Sequence, residues 1–416
     1  MKKLYIINIK EGSSSVYGIG TYLNELAKSV MQIRKNVCII HIKSETQKFT
    51  EVVENGITHW HIPQSRIKYK DIEKQNQLYF SNVIFFLRQQ IQPADQIVFH
   101  LNVFDYPYFI NALKDTFNCK IVHAVHYLSW CFHIGGNVSR LKKIIKKPED
   151  QLNTIEKKVI QSFSTEKQLL CSADHVISLS KNTSGILQQI YGVKNNNISL
   201  IYNGLEDGRP NMDKQMIRKK YHIPDNIPII FFAGRMADVK GLNYALRAFK
   251  KVLENKTTCH LIIAGGHGDF DAYLKECEDI WMHVTWTGLL GKEKLYEFYS
   301  IADIGVIPSF HEQCSCVAIE MMMHGVPLIA STTTGLKEMV EEGVTGLHIP
   351  VIEHLDKVEI DSLVLAEKMQ YLLQHPAERK RMGANARRRY ESVYSASMFR
   401  KNMLDFYQSL FHSADL

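Results

Sequence analysis

Ile304-Gly305-Val306-Ile307-Pro308-Ser309, running into Phe310-His311-Glu312-Gln313-Cys314-Ser315-Cys316-Val317-Ala318-Ile319-Glu320-Met321-Met322-Met323-His324-Gly325-Val326-Pro327, is the stretch on which the reading of this chain turns. It opens on a continuous apolar run, the pattern of a strand buried on both faces. Ser315 is predicted to cap a helix that ends at Gly325 and Pro327. The unit is therefore strand, loop, helix. Glu312 falls in the loop, and Glu320 lies in the second helical turn. Unpaired backbone N–H groups at the helix start favour an anion. Two carboxylates flanking that anion site suit a molecule with hydroxyls at both ends and phosphate between, and a nucleotide-sugar has that form.

The same strand–helix alternation extends outward in both directions. Strands are expected at 4–9, 37–42, 58–62, 96–101, 120–125, 175–179 and 198–202, then at 227–233, 259–264, 284–287, 304–307, 327–330 and 345–349. Leu23, Leu26, Ala27, Val30 and Met31 recur at helical spacing, as do Leu242, Ala245, Leu246, Phe249, Val252 and Leu253. Alternating βα units argue for doubly wound parallel sheets, one per half. The first domain is drawn over 1–205 and the second over 206–389, with a hinge near Asn203-Gly204 and through the polar stretch 206–214.

Four further segments have chemical potential. Gly234-Arg235-Met236-Ala237-Asp238-Val239-Lys240-Gly241 follows a strand, and its two cations can neutralise a diphosphate from two sides. Tyr17-Gly18-Ile19-Gly20 opens the first helix, where glycine permits close approach of backbone to phosphate. Ala264-Gly265-Gly266 is a glycine-rich turn after a strand. His126 ends a buried strand, His123 lies within it, and His100 ends another. Asp269-Phe270-Asp271 has the form of a metal-binding pair but starts a predicted helix, where Asp is common, and is read as capping.

These motifs together resemble family 4 retaining glycosyltransferases. Glu312-x7-Glu320 followed by Gly325-x-Pro327 resembles that family's signature, and Gly234-Arg235-x4-Lys240-Gly241 matches its Gly-Arg-x4-Lys-Gly motif residue for residue. Trp286-Thr287-Gly288, Gly335-x-x-Glu338 and Gly343-x-Thr345-Gly346 resemble further family elements. Two departures stand out: Tyr17 where the family has the first of two glycines, and Cys314-Ser315 where it has Phe-Gly. The resemblance implies an α/β protein of GT-B fold, two Rossmann-like doubly wound parallel-sheet domains with a cleft between them. It implies that helices at about 390–416 pack back on the first domain. It also implies retaining, metal-independent transfer of a hexose-type sugar from a UDP- or GDP-sugar to a hydroxyl acceptor, without a cofactor, in glycan, polysaccharide or glycoconjugate synthesis. By the same resemblance Arg235 and Lys240 hold the diphosphate, Glu320 the ribose hydroxyls and Glu312 the sugar hydroxyls. Gly18, Gly234, Gly265, Cys314 and Ser315 approach the donor through backbone, and His126 sits by the transferred sugar. A GT-B epimerase or phosphorylase and a non-catalytic scaffold of the same fold are the alternatives.

Composition narrows the rest. The 416 residues are 45% hydrophobic and 22% charged, with a formal net charge of +7. That balance suits anionic small substrates or an anionic membrane surface and gives no case for nucleic acid. The basic clusters Arg66–Lys70 and Arg140–Lys147 leave peripheral contact with anionic lipid open beside a solvated helix face. No apolar run nears the ~20 residues of a membrane span. The first residues read as a strand rather than a signal peptide. Eight scattered cysteines without Cys-x-x-Cys suit free thiols in a reducing cytoplasm, with Cys314-x-Cys316 read as packing.

Overall fold

The computed structural model describes residues 2–9, 18–31, 36–66, 70–92, 95–102, 106–266, 268, 270–354 and 356–412. The chain divides into two compact units. Unit 1 is Met1–Trp130, Pro148–Tyr202 and Ser397–Leu416, and unit 2 is Cys131–Lys147 and Asn203–Ala396. Tyr17 and the loop before it, residues 67–69 of the first basic cluster, His267 and Asp269 lie outside the described residues.

Unit 1 holds β1 Lys2–Ile9, β2 Asn36–Ser44, β3 Thr50–Glu54, β4 Ile57–Pro63, β5 Gln96–Leu101, β6 Cys119–Val125, β7 His175–Ser178 and β8 Ile198–Leu200. They form one sheet in the order β3-β4-β2-β1-β5-β6-β7-β8. Every neighbour pair is parallel except β3–β4. The apolar runs do what parallel strands require: Ile6, Ile40, Phe99, Ile121 and Val122 are all fully covered. Strand β3 was not expected. Its sequence, Thr-Glu-Val-Val-Glu, is polar and largely exposed, so no apolar run marks it. The Asn55-Gly56 turn that joins it to β4, with both residues at positive φ, is the local signal that would have found it.

Unit 2 holds β9 Ile229–Ala233, β10 His260–Ala264, β11 Val284–Gly288, β12 Ile304–Ile307, β13 Leu328–Ser331 and β14 Gly346–Ile349. They are ordered β11-β10-β9-β12-β13-β14 and all parallel. The strand order reverses between β9 and β12. Open α/β sheets bind ligands at the carboxyl ends of strands at such a switch point. A small antiparallel hairpin, β15 Val351–Glu353 with β16 Val358–Ile360, follows β14. The helix Leu242–Glu254 buries Leu242, Ala245, Leu246, Phe249 and Val252, the stripe expected from its spacing.

Two stretches depart from a simple division at residue 205. Cys131–Lys147, drawn with the first domain from sequence, belongs to unit 2. Two of its ties to the rest of unit 2 are polar and backbone-directed, and no apolar pattern announces those. Asn137 donates from Nδ2 to the His354 carbonyl at 3.2 Å, and Arg140 donates from Nη1 to the Asp356 carbonyl at 2.6 Å. Within its helix Val138–Ile144 the apolar Leu141 and Ile144 are buried, while Lys142, Lys143, Lys146 and Lys147 are exposed. At the other end Tyr390 and Tyr394 stay with unit 2, and Ser397 onward joins unit 1.

That last helix, Ala396–His412, is tied into unit 1 by a buried polar centre. Tyr407 Oη bonds His100 Nδ1 at 2.7 Å, and Tyr22 Oη bonds His100 Nε2 at 3.3 Å. His100 was read from the sequence only as ending a strand. It is fully buried, with both ring nitrogens engaged and its pKa pushed down to about 3, chiefly by burial. Among the described residues no helix is long and apolar enough to cross a membrane. We predict that Tyr407→Phe, which strands one nitrogen of His100 in the core, costs about 1–3 kcal/mol. Urea unfolding followed at a unit 1 probe would measure it. No loss would mean the bond adds nothing to anchoring the helix.

Candidate functional site

The switch point of unit 2 brings together the residues singled out from β9 and β12. The loop after β9 carries Gly234, Arg235 and a 3₁₀ turn, Asp238–Lys240. The loop after β12 carries Glu312. Phe310 donates its N–H to the Val239 carbonyl at 2.8 Å, joining the two loops. Lys240 Nζ forms a close ion pair with Glu312 Oε1, with both side chains largely covered. Arg235 is exposed on the same loop. The glycine turn after β10 abuts it: Gly234 N–H donates to the Ala264 carbonyl at 3.0 Å, and Gly265 N–H donates to the Gly288 carbonyl at 2.9 Å.

The Glu312 loop is clamped at Gly335, the start of the Gly335-x-x-Glu338 element, at the preceding Thr334, and at Asn203. Glu312 N–H donates to Thr334 Oγ1 at 3.0 Å, Thr334 Oγ1 donates to the Glu312 carbonyl, and Gly335 N–H donates to that carbonyl at 2.8 Å. Thr334 takes a φ of 26°, a conformation unusual for a β-branched residue. A Cβ at Gly335 would fall 1.7 Å from the Gln313 carbonyl, so only glycine admits this approach. On the opposite side Asn203, buried, donates from Nδ2 to the Cys314 carbonyl at 2.9 Å. Asn203 was read only as part of a hinge.

Ser315 caps the helix Cys316–Met323 as expected, its side chain accepting from Ala318 N–H at 3.3 Å. Its own N–H points at the thioether of Met339, 3.3 Å away, a weak acceptor that a better one can replace. Burial pushes the Cys316 thiol up to about 12 and also raises Cys314 well above its usual range, so both are neutral packing groups. All eight cysteines are free. Glu320 lies within the helix, 8% exposed. Tyr299 donates to its Oε2 at 3.0 Å and Tyr296 to its Oε1 at 3.5 Å. Burial lifts its pKa to about 7, against the pull of the two hydroxyls and Lys292. The two tyrosines sit on the helix Lys292–Ile301 and have no motif to mark them.

In unit 1, Gly18 starts the helix Gly18–Met31 and is exposed. His126, just past β6, bonds Asn102 Oδ1 through Nε2 at 3.2 Å and packs edge-on against Tyr22 at 4.5 Å. Burial and the nearby His123 press its pKa down to about 3, so the ring is neutral. It lines a cavity of about 30 Å³ with Asn102, His123 and Glu166. Glu166 accepts from Ser129 N–H and from Tyr191 Oη, which fixes the turn that follows His126.

Comparison with known proteins bears on the family and the fold. Residues 16–209 match the model for Glycosyltransferase Family 4, and residues 213–389 match that for Glycosyl transferases group 1. An uncharacterized glycosyltransferase of Methanocaldococcus jannaschii is 28% identical over 245 residues, covering 54% of this chain and 61% of that protein. The chain spans about half to three-fifths of the length of the first curated relatives it matches. Among solved structures, sucrose-phosphate synthase from Thermosynechococcus elongatus superposes with a TM-score of 0.76 at 21% identity, over 99% of this chain and 100% of that one. Anabaena HepE in complex with UDP-glucose gives 0.68 at 14% identity, over 98% and 100%. Two glycosyltransferase family models, each matching just under half of the sequence and between them most of it, and neighbours of the same two-Rossmann architecture agree: the chain is similar to glycosyltransferases over both halves and has the GT-B fold.

Proposed function

We propose that the protein moves a hexose-type sugar from a UDP- or GDP-sugar to a hydroxyl acceptor with retention of configuration and without a metal. The observation that carries this is the Lys240–Glu312 ion pair at the β9/β12 switch point. A cation suited to diphosphate and a carboxylate suited to sugar hydroxyls satisfy each other there. Support also comes from the HepE neighbour, whose structure holds UDP-glucose.

In this reading Arg235 and Lys240 bind the diphosphate, and the N–H groups at Cys314 and Ser315 add uncharged donors at a helix start. Gly234 and Gly265 let the adjoining backbone come close. Glu312 accepts from sugar hydroxyls and Glu320 from the ribose. His126 and Gly18 keep the roles that the family resemblance gives them. The anomeric carbon–oxygen bond to phosphate breaks as the acceptor oxygen bonds the same face, and a leaving phosphate oxygen takes the acceptor proton. The negative charge that grows on the diphosphate is what fixed cations stabilise. The acceptor belongs to glycan, polysaccharide or glycoconjugate synthesis, and the exposed lysines at 142–147 suit an anionic surface near it.

Incubation with a panel of UDP-, GDP- and ADP-sugars, with chelator and without acceptor, should release nucleotide from one donor. Lys240→Ala should cut that rate by about 100-fold or more. No turnover of any donor, with acceptor mixtures added, would overturn the reading.

Diphosphate must draw Lys240 away from Glu312, so the two functions are linked. Glu312→Gln should therefore tighten binding of the bare nucleoside diphosphate about five-fold, from a pair contribution of ~1 kcal/mol, while abolishing transfer. Weaker diphosphate binding in that variant would contradict the exchange.

Glu320 accepts from ribose hydroxyls best as a carboxylate. With its pKa raised to about 7, donor affinity should fall as pH drops through 7. Tyr299→Phe removes a hydrogen bond that favours the charged form, so the fall should move to higher pH. Donor KM measured from pH 6 to 9 would show it, and an unmoved profile would remove Glu320 from ribose binding.

A further inference from the structure

His311 sits beside the candidate site, and the functions assigned so far leave it unused. Its side chain is 6% exposed, and neither Nδ1 nor Nε2 has a hydrogen-bond partner. Burial presses its pKa down to about 4; Lys240 acts in the same direction and Glu312 against it. The ring is therefore neutral at physiological pH, with one N–H to donate and one lone pair to accept. Buried polar groups of this kind are normally paired, so an imidazole with both nitrogens unmet needs a partner that the protein itself does not supply.

What lies against the ring explains why no side chain meets it. The Cys131–Lys147 stretch turns over the Phe310–His311 backbone at Gly135-Gly136, both at positive φ. A Cβ on Gly136 would stand 3.2 Å from the Phe310 carbonyl and 3.4 Å from His311 Nδ1. The turn is thus fitted to the loop, pinned by the Asn137 and Arg140 bonds to the β15–β16 connection, and brings no functional group to the imidazole there. On the other side of residue 311 in the chain, Glu312 is held by Lys240 and by the Thr334–Gly335 clamp. The loop that aims Glu312 therefore also fixes His311.

We propose that His311 is a sugar-recognition residue of the donor site, exchanging hydrogen bonds with a hydroxyl of the sugar carried by the nucleoside diphosphate. A hydroxyl both donates and accepts, as a neutral imidazole does. A phosphate accepts only and is served by Arg235 and Lys240. The ion pair that bears electrostatically on the ring is the one a diphosphate would break, so the exchange that frees Glu312 also changes the surroundings of His311. The proposal rests on the donor-site reading above and adds a residue that discriminates one sugar from another.

Calorimetric titration with UDP and UDP-glucose, or the GDP pair if the donor panel selects it, separates the two claims. In His311→Phe, which keeps a planar ring but no nitrogen, binding of the bare diphosphate should stay within about two-fold. Binding of the nucleotide-sugar should weaken about ten-fold relative to it, the size expected of one lost hydrogen bond with its partner left buried. His311→Gln, which keeps a donor and an acceptor, should recover part of the loss. A diphosphate-to-sugar ratio unchanged in His311→Phe overturns the role of His311 while leaving the donor site standing. A wild-type protein that binds neither ligand overturns both. Nitrogen-15 shifts of the His311 ring in the wild-type protein give the same answer without a variant. They should move with diphosphate alone, as the ion pair breaks, and move further with nucleotide-sugar; a ring that shows the same shift with both rejects the proposal.

Discussion

The parallel hydrogen bonding of β9 to β12 is the constraint from which the candidate site follows. Strand order reverses there, so the loops leaving the two strands run side by side instead of being screened by a helix crossing. Lys240 and Glu312, 72 residues apart in the chain, become an ion pair for that reason. Everything else nearby serves to hold those two loops. Thr334 and Gly335 grip Glu312 from the end of β13, and Asn203 grips Cys314. The strained φ at Thr334 marks how tightly the loop is specified. Without that adjacency Arg235, Lys240, Glu312 and Glu320 would be four charged residues on separate turns.

How much of this could be read in advance depends on the physics of each part. Every strand expected from an apolar run is present, because a strand covered on both faces must be apolar along its length. The N-cap at Ser315 and the helix stripe from Leu242 to Val252 were legible for the same local reasons. The exposed β3 was missed because it buries little, although Asn55-Gly56 announced its turn. The placement of Cys131–Lys147 was not read. Two of its ties are side chain to carbonyl bonds between residues more than 200 apart, which leave no periodic trace.

The site divides in the same way. Charged residues at fixed spacing on βα loops were visible, and the family resemblance sharpened them. The groups that tune those charges were not. Tyr296 and Tyr299 reach Glu320 from a neighbouring helix, and His311 shows nothing unusual until its burial and its two unmet nitrogens are known. The surroundings of His100 were equally hidden. A histidine at a strand end could face a ligand or the core, and the Ala396–His412 helix covers this one.

That covering has a consequence for the order in which the protein is made. The chain passes from one unit to the other at residues 130/131, 147/148, 202/203 and 396/397. Unit 1 is begun before unit 2, but the helix carrying Tyr407 is made only after the whole of unit 2. Until it arrives His100 lacks its second partner, and the apolar surface that Phe399, Met403 and Leu410 will cover stays open. Domains usually fold as they emerge, the N-terminal one first. Here unit 1 must wait for the whole of unit 2, so the nascent chain carries an unfinished core while all of unit 2 is made.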